Sequence, residues 1–182
     1  VDAWLIYRLT GGAAFKTDVS NASRTQLLDL DSLDWSPEML GLFGLERRML
    51  PEVCESNSLF GYSDLDGLLP GPVPICGVLG DSQAALLGNG CLSRGGAKLT
   101  LGTGTSVMVN AGPARPGVSG GIVCSVGWKL NGRLCYVAEG NINHTGALIV
   151  WLRDKLRLIE NSRDVGPIAA GLEDNGGVYL VP

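Results

Sequence analysis

The chain has 182 residues, 45% of them hydrophobic and 18% charged, with a net charge of −4. This is globular composition and excludes a disordered or low-complexity chain. The strongest basic spot is Arg47-Arg48, which reads as a solvated turn, and no apolar run approaches the roughly 18 residues of a membrane span, so neither nucleic acid nor membrane is expected as a partner.

In chain order, residues 2–9 (DAWLIYRL) predict a short helix stopped by Gly11-Gly12. Residues 17–25 (TDVSNASRT) are polar and turn-prone. Ser36-Pro37-Glu38 opens a second helix, with Ser36 as N-cap, proline at the first helical position and an acid in the first turn. Four prolines follow between residues 50 and 74, and 67–74 reads as a connector. Residues 73–79 (VPICGVL) predict a buried strand that feeds a helix over 82–87 through Gly80-Asp81. Strands over 97–101 and 106–110 flank the turn Gly102-Thr103-Gly104-Thr105. Two more, over 121–127 and 133–138, are joined near Asn131-Gly132, a hairpin dipeptide. A helix is predicted from about 145 to 158, and 178–181 begins another strand.

Mixed strands and helices with glycine turns at strand ends indicate an α/β fold, and 88–96 (GNGCLSRGG) reads as a domain boundary. Five cysteines without a C-x-x-C spacing predict reduced thiols, no zinc site and a cytoplasmic setting. The start at Val1-Asp2, without Met or leader, and the unfinished strand at Val181-Pro182 suggest a fragment.

Three places could carry chemistry. In Gly80-Asp81-Ser82-Gln83, a carboxylate at the start of a helix could position a hydroxyl and accept its proton, or could merely cap the helix. In Gly102-Thr103-Gly104-Thr105, glycines around a hydroxyl residue allow amides and a Thr hydroxyl to meet phosphate oxygens, or form a plain hairpin turn. There is no Walker A pattern. Glu139-Gly140-Asn141 ends a strand and could reach a metal or its waters. His144, the one histidine, reads as a structural or surface residue, and no metal-ligand cluster is visible.

Taken in order, seven segments resemble the FGGY carbohydrate kinases, and among them a divergent glycerol-kinase-like branch. They are DAWLIYRLTGG, TDVSNASRT, LDWSPEMLGLFGLERRMLPEV, GVLGDSQAALLG, AKLTLGTGTSVMVNAG, AEGNINHTGALIVWLRD and NGGVYLVP. The resemblance implies an actin-like ATPase fold with ribonuclease-H-like halves. Residues 1–90 would end its amino-terminal, substrate-side domain, and 91–182 would begin its carboxy-terminal, nucleotide-side domain. It implies Asp81 as general base, Asp81 and Ser82 at the substrate, and Gly102, Thr103, Gly104 and Gly146 at ATP, with Mg2+ accompanying the nucleotide and no protein metal site. The implied activity is ATP-dependent phosphorylation of a primary hydroxyl of glycerol or a related polyol or sugar, giving sn-glycerol 3-phosphate from glycerol. A non-catalytic sensor or scaffold is the alternative. Homo-oligomerisation is compatible with the family, and the 182 residues alone are expected to be inactive. Typical glycerol kinases have Gln at Ser82, an aromatic residue at Ser106 and Gln at Val150, so the substrate pocket is expected to be altered.

Overall fold

A computed structural model describes residues 1–181. The chain forms α1 (Asp2–Leu9), β1 (Lys16–Asp18), α2 (Val19–Ala22), α3 (Pro37–Phe43), β2 (Glu52–Cys54), β3 (Gly61–Ser63) and β4 (Val73–Ile75). There follow α4 (Asp81–Gly88), β5 (Ala97–Leu101), β6 (Thr105–Gly112), β7 (Val123–Leu130), β8 (Arg133–Ile142), α5 (Gly146–Asp154) and α6 (Val165–Ala170). The chain divides into two compact units. One holds residues 1–98 and 108–139, the other 99–107 and the residues from 140 onward.

The first unit carries every buried hydrophobic side chain among the described residues. One cluster joins Val19, Ala22, Leu28, Trp35, Leu40, Val126 and Tyr136; a second joins Leu86, Met108, Trp128, Cys135 and Val137. Full burial of such side chains contributes roughly 1.5–3 kcal/mol each. The two aromatic residues of the first cluster also satisfy their polar ends. Trp35 Nε1 donates to Pro51 O at 2.8 Å, and the Tyr136 hydroxyl donates to Leu30 O at 2.6 Å.

The helix α3 forms as its sequence predicts. The Ser36 hydroxyl accepts the Met39 N–H at 3.3 Å, and Gly44, at φ +66°, lets Leu45 N–H close onto Leu40 O. The hairpin of β7 and β8 also forms, antiparallel from Val123↔Glu139 to Leu130↔Arg133 with an irregularity between Val126 and Trp128. Asn131 and Gly132 both have positive φ, as a tight two-residue turn between twisted strands requires. These strands lie in a four-stranded sheet of order β5-β6-β8-β7.

Other expectations need correction. The polar segment 17–25 is not merely a turn: it holds β1, paired in parallel with β2, and the single-turn helix α2. The apolar run 73–79 is no buried strand, because β4 spans only Val73–Ile75, pairs solely with β3 and is largely exposed. The strand predicted at 121–127 is β7, shifted to Val123–Leu130. The helix predicted to reach 158 stops at Asp154. Arg157 adopts φ +54° and Leu158 N–H closes onto Leu152 O at 3.0 Å, a left-handed stop with no glycine to announce it. Residues 178–181 are exposed and form no strand.

Candidate active site

The first unit builds one site around the buried carboxylate of Asp18. Asp18 caps α2, accepting the Ser20 and Asn21 backbone N–H groups at 3.0 and 2.9 Å. It also accepts the Ser20 hydroxyl at 2.9 Å, the Asn21 amide at 2.7 Å and the Ser56 hydroxyl at 2.8 Å. A carboxylate with both oxygens bonded this way is held in a single pose. The Ser20 hydroxyl in turn accepts the Gly80 N–H at 2.9 Å. Gly80 is the N-cap of α4, so the residue immediately before Asp81 is tied to the Asp18 network.

Asp81 is the first residue of α4 rather than its cap, and its side chain is exposed. Oδ1 accepts the Ser82 N–H at 2.7 Å, which fixes the carboxylate at the positive end of the helix. Its local bond is thus to the helix start, as a plain structural role would require, yet the carboxylate also lines a cleft. This cleft of about 280 Å³ is bounded by Asn21, Arg24, Gly80, Asp81, Ser82, Gln83, Met108 and Glu139. Lys98 Nζ donates to the Ser82 hydroxyl at 3.3 Å. Glu139, nearly buried, pairs with Arg24 at 3.0 Å, so an arginine is its charge partner. Among the described residues no cluster of His, Cys, Asp and Glu is arranged to hold a metal ion, and His144 is exposed.

The second unit brings together all four residues assigned to nucleotide. Gly146 N–H donates to Gly102 O, and the Thr145 and Ala147 N–H groups donate to Thr103 O, each at 3.0 Å. The Thr105 hydroxyl donates to that of Thr145 at 2.9 Å. The carbonyls of the glycine turn are therefore committed to the start of α5, while Gly102 and Thr103 themselves are exposed. The close fit explains the glycines. A Cβ on Gly146 would collide with Gly102 O, and one on Gly104 would lie 2.8 Å from Ile142 O.

Residues 1–88 match the model of the FGGY family of carbohydrate kinases, N-terminal domain. Over its whole length the chain is 51% identical to glycerol kinase 1 of Thermotoga maritima, of which it spans 37%. The chain belongs to the FGGY family of carbohydrate kinases. Its fold is that of the crystal structure of Plasmodium falciparum glycerol kinase with ADP, with a TM-score of 0.87 and 33% identity over 95% of this chain and 35% of that one. The xylulose kinase of Rhodospirillum rubrum shares the fold at a TM-score of 0.77 and 19% identity, over 93% of this chain and 34% of that one. The mixed α/β architecture is accordingly the actin-like one of FGGY kinases.

Several members of this cleft escape a reading of sequence alone. Arg24 and Asn21 lie in a segment whose polar letters suggest only a turn, and Met108 reads as an ordinary strand residue. A detectable signal was the run of short hydroxyl and amide residues in 17–25, the composition of caps and buried polar networks.

Proposed function

We propose that the protein containing this chain transfers the terminal phosphoryl group of ATP to a primary hydroxyl of glycerol or a related small polyol or sugar. With glycerol the product is sn-glycerol 3-phosphate. The carrying observation is the placement of Asp81 at the rim of a polar cleft, on a helix start anchored by Ser20 to the buried Asp18. In the reaction the Asp81 carboxylate accepts the hydroxyl proton as that oxygen forms its bond to the γ-phosphorus. The bond from that phosphorus to the β–γ bridging oxygen breaks, and ADP leaves. Ser82, steadied by Lys98, faces the acceptor.

Gly102, Thr103, Gly104 and Gly146 are assigned to the phosphates. Their fit to such a group rests on the exposed turn, where small residues leave the backbone within reach of an oxyanion. Mg2+ would be held chiefly by the nucleotide itself, the usual arrangement for this ion. We assign residues 1–90 to the end of the amino-terminal domain and 91–182 to the start of the carboxy-terminal one, which the family match over 1–88 supports. No helix among the described residues is long and apolar enough to cross a membrane. The free cysteines suit the cytoplasm.

The test is Asp81→Asn in the whole protein, followed by glycerol-dependent ADP release. Loss of a positioned base lowers turnover by on the order of 10²–10⁴ while ATP binding stays near normal. Retention of more than about a tenth of the rate would return Asp81 to a helix-start role.

A further inference from the structure

The cleft contains one group that the assigned chemistry leaves unused. Gln83 is only 2% exposed, and its Nε2 makes no hydrogen bond to any protein atom among the described residues. Buried polar groups without partners are rare, and each calls for a reason. Gln83 lies on the first turn of α4, two residues after Asp81, and its side chain helps to wall the same cleft. Gly80 makes room for it: a Cβ there would lie 2.5 Å from Gln83 Oε1. The carboxamide therefore packs over Gly80 with its donor end unpaired. Its neighbour Ser82 already takes a hydrogen bond from Lys98 and has a far shorter side chain.

We propose that Gln83 Nε2 donates a hydrogen bond to a non-reacting hydroxyl of the acceptor, making Gln83 a specificity-determining residue beside Asp81. This rests on the kinase reading above and deepens it by naming what holds the substrate's second hydroxyl. The last torsion of a glutamine is broad, so the carboxamide can turn Nε2 towards a hydroxyl entering the cleft without moving α4. A ligand oxygen then satisfies a donor that no protein group among the described residues satisfies. A substrate lacking that hydroxyl leaves it stranded, which is how a polar site rejects such an analogue. Arg24 and Glu139 neutralise one another nearby, so the cleft presents uncharged groups as well as the Asp81 carboxylate, as suits a neutral polyol.

The experiment uses the whole protein and its Gln83→Met variant, which keeps side-chain length and removes the donor. Both are assayed by ADP release with glycerol, with 1,2-propanediol, lacking a terminal hydroxyl, and with 1,3-propanediol, lacking the central one. The expected result is a loss of on the order of 10–100-fold in kcat/KM for glycerol, carried mainly by KM. With one of the two diols the variant should match the unaltered protein within about threefold, because that diol never made the bond. An equal loss on all three acceptors, or no loss on glycerol, overturns the proposal while leaving the kinase reading intact. Absence of glycerol-dependent ADP release from the unaltered protein overturns both together. Should the variant not fold, the side-chain amide resonances of the unaltered protein, labelled with 15N glutamine, give the answer. Gln83 must shift on saturation with glycerol and much less with one of the diols; no shift with glycerol overturns the proposal.

Discussion

Replacing Ser20 by alanine isolates the link that holds the candidate base in place. The Ser20 hydroxyl donates to Asp18 at 2.9 Å and accepts the Gly80 N–H at 2.9 Å, and both Ser20 and Asp18 are fully buried. Alanine fits the space, so no strain is added. It forfeits a hydrogen bond to a charged acceptor, about 1.5–3 kcal/mol, and orphans the Gly80 N–H, about 1–3 kcal/mol. The two losses share one hydroxyl and do not add fully, which gives an expected destabilisation of about 2–4 kcal/mol. Urea denaturation followed by tryptophan fluorescence measures it, as a lower midpoint with an unchanged slope. The same variant, assayed under conditions where it remains folded, should lose turnover, because the backbone at Gly80 no longer fixes Asp81. A destabilisation below about 0.5 kcal/mol would mean that this bond is not the anchor. Full stability loss with unaltered kcat would mean that the anchor has no bearing on Asp81.

Thr103→Val keeps volume and removes a hydroxyl assigned to a phosphate oxygen. The catalytic efficiency with ATP varied should fall about 10–100-fold, and an unchanged value would return the turn to a plain hairpin. Gly146→Ala places a methyl against Gly102 O, and relieving that overlap should cost about 1–3 kcal/mol, read as a weaker apparent ATP affinity with glycerol KM unchanged. Burial pushes the Cys135 thiol up to about 11, and its Sγ donates to Asn110 Oδ1 at 3.2 Å. At pH 8 Cys135 should therefore resist iodoacetamide in the native protein while the exposed Cys76 reacts, as peptide mapping would show. The same raised value contributes stability that is fully present below the unfolded thiol value of about 8.5 and is lost as pH rises towards 11.

What the sequence discloses depends on how local the determinants are. The start and stop of α3 are written within a dozen residues, from Ser36-Pro37 to Gly44, and the β7–β8 turn is written in Asn131-Gly132. The glycine turn at 102–104 could be seen as a turn. Its grip on α5 could not, because that grip is a set of backbone bonds between residues some forty positions apart. The end of α5 escaped for a different reason: Arg157 takes a left-handed conformation that its residue type does not favour. The parallel pairing of β1 with β2 was hidden as well, since three-residue strands carry no measurable alternation. The apolar run 73–79 misled because hydrophobicity alone does not say whether neighbouring strands will cover it. Within the site, resemblance singled out Asp81 and Ser82, and Gln83 follows them directly in the chain, whereas Arg24 and Glu139 join them only through the tertiary fold.

The Asp18 network also bears on how the chain reaches its native state. Its bond to Ser56 bridges 38 positions, that from Gly80 to Ser20 bridges 60, and the Asn57–Asn131 contact bridges 74. Loops of this length must close before any of these bonds can form, and closure costs entropy before the bonds return anything. Contacts distant in sequence are the slow ones, whereas hairpins and single helices form on their own in microseconds. The start of α4 is thus fastened by a bond that forms only once the chain between Ser20 and Gly80 has closed. Local helices and hairpins need none of these closures, whereas the cleft that carries Asp81 depends on them.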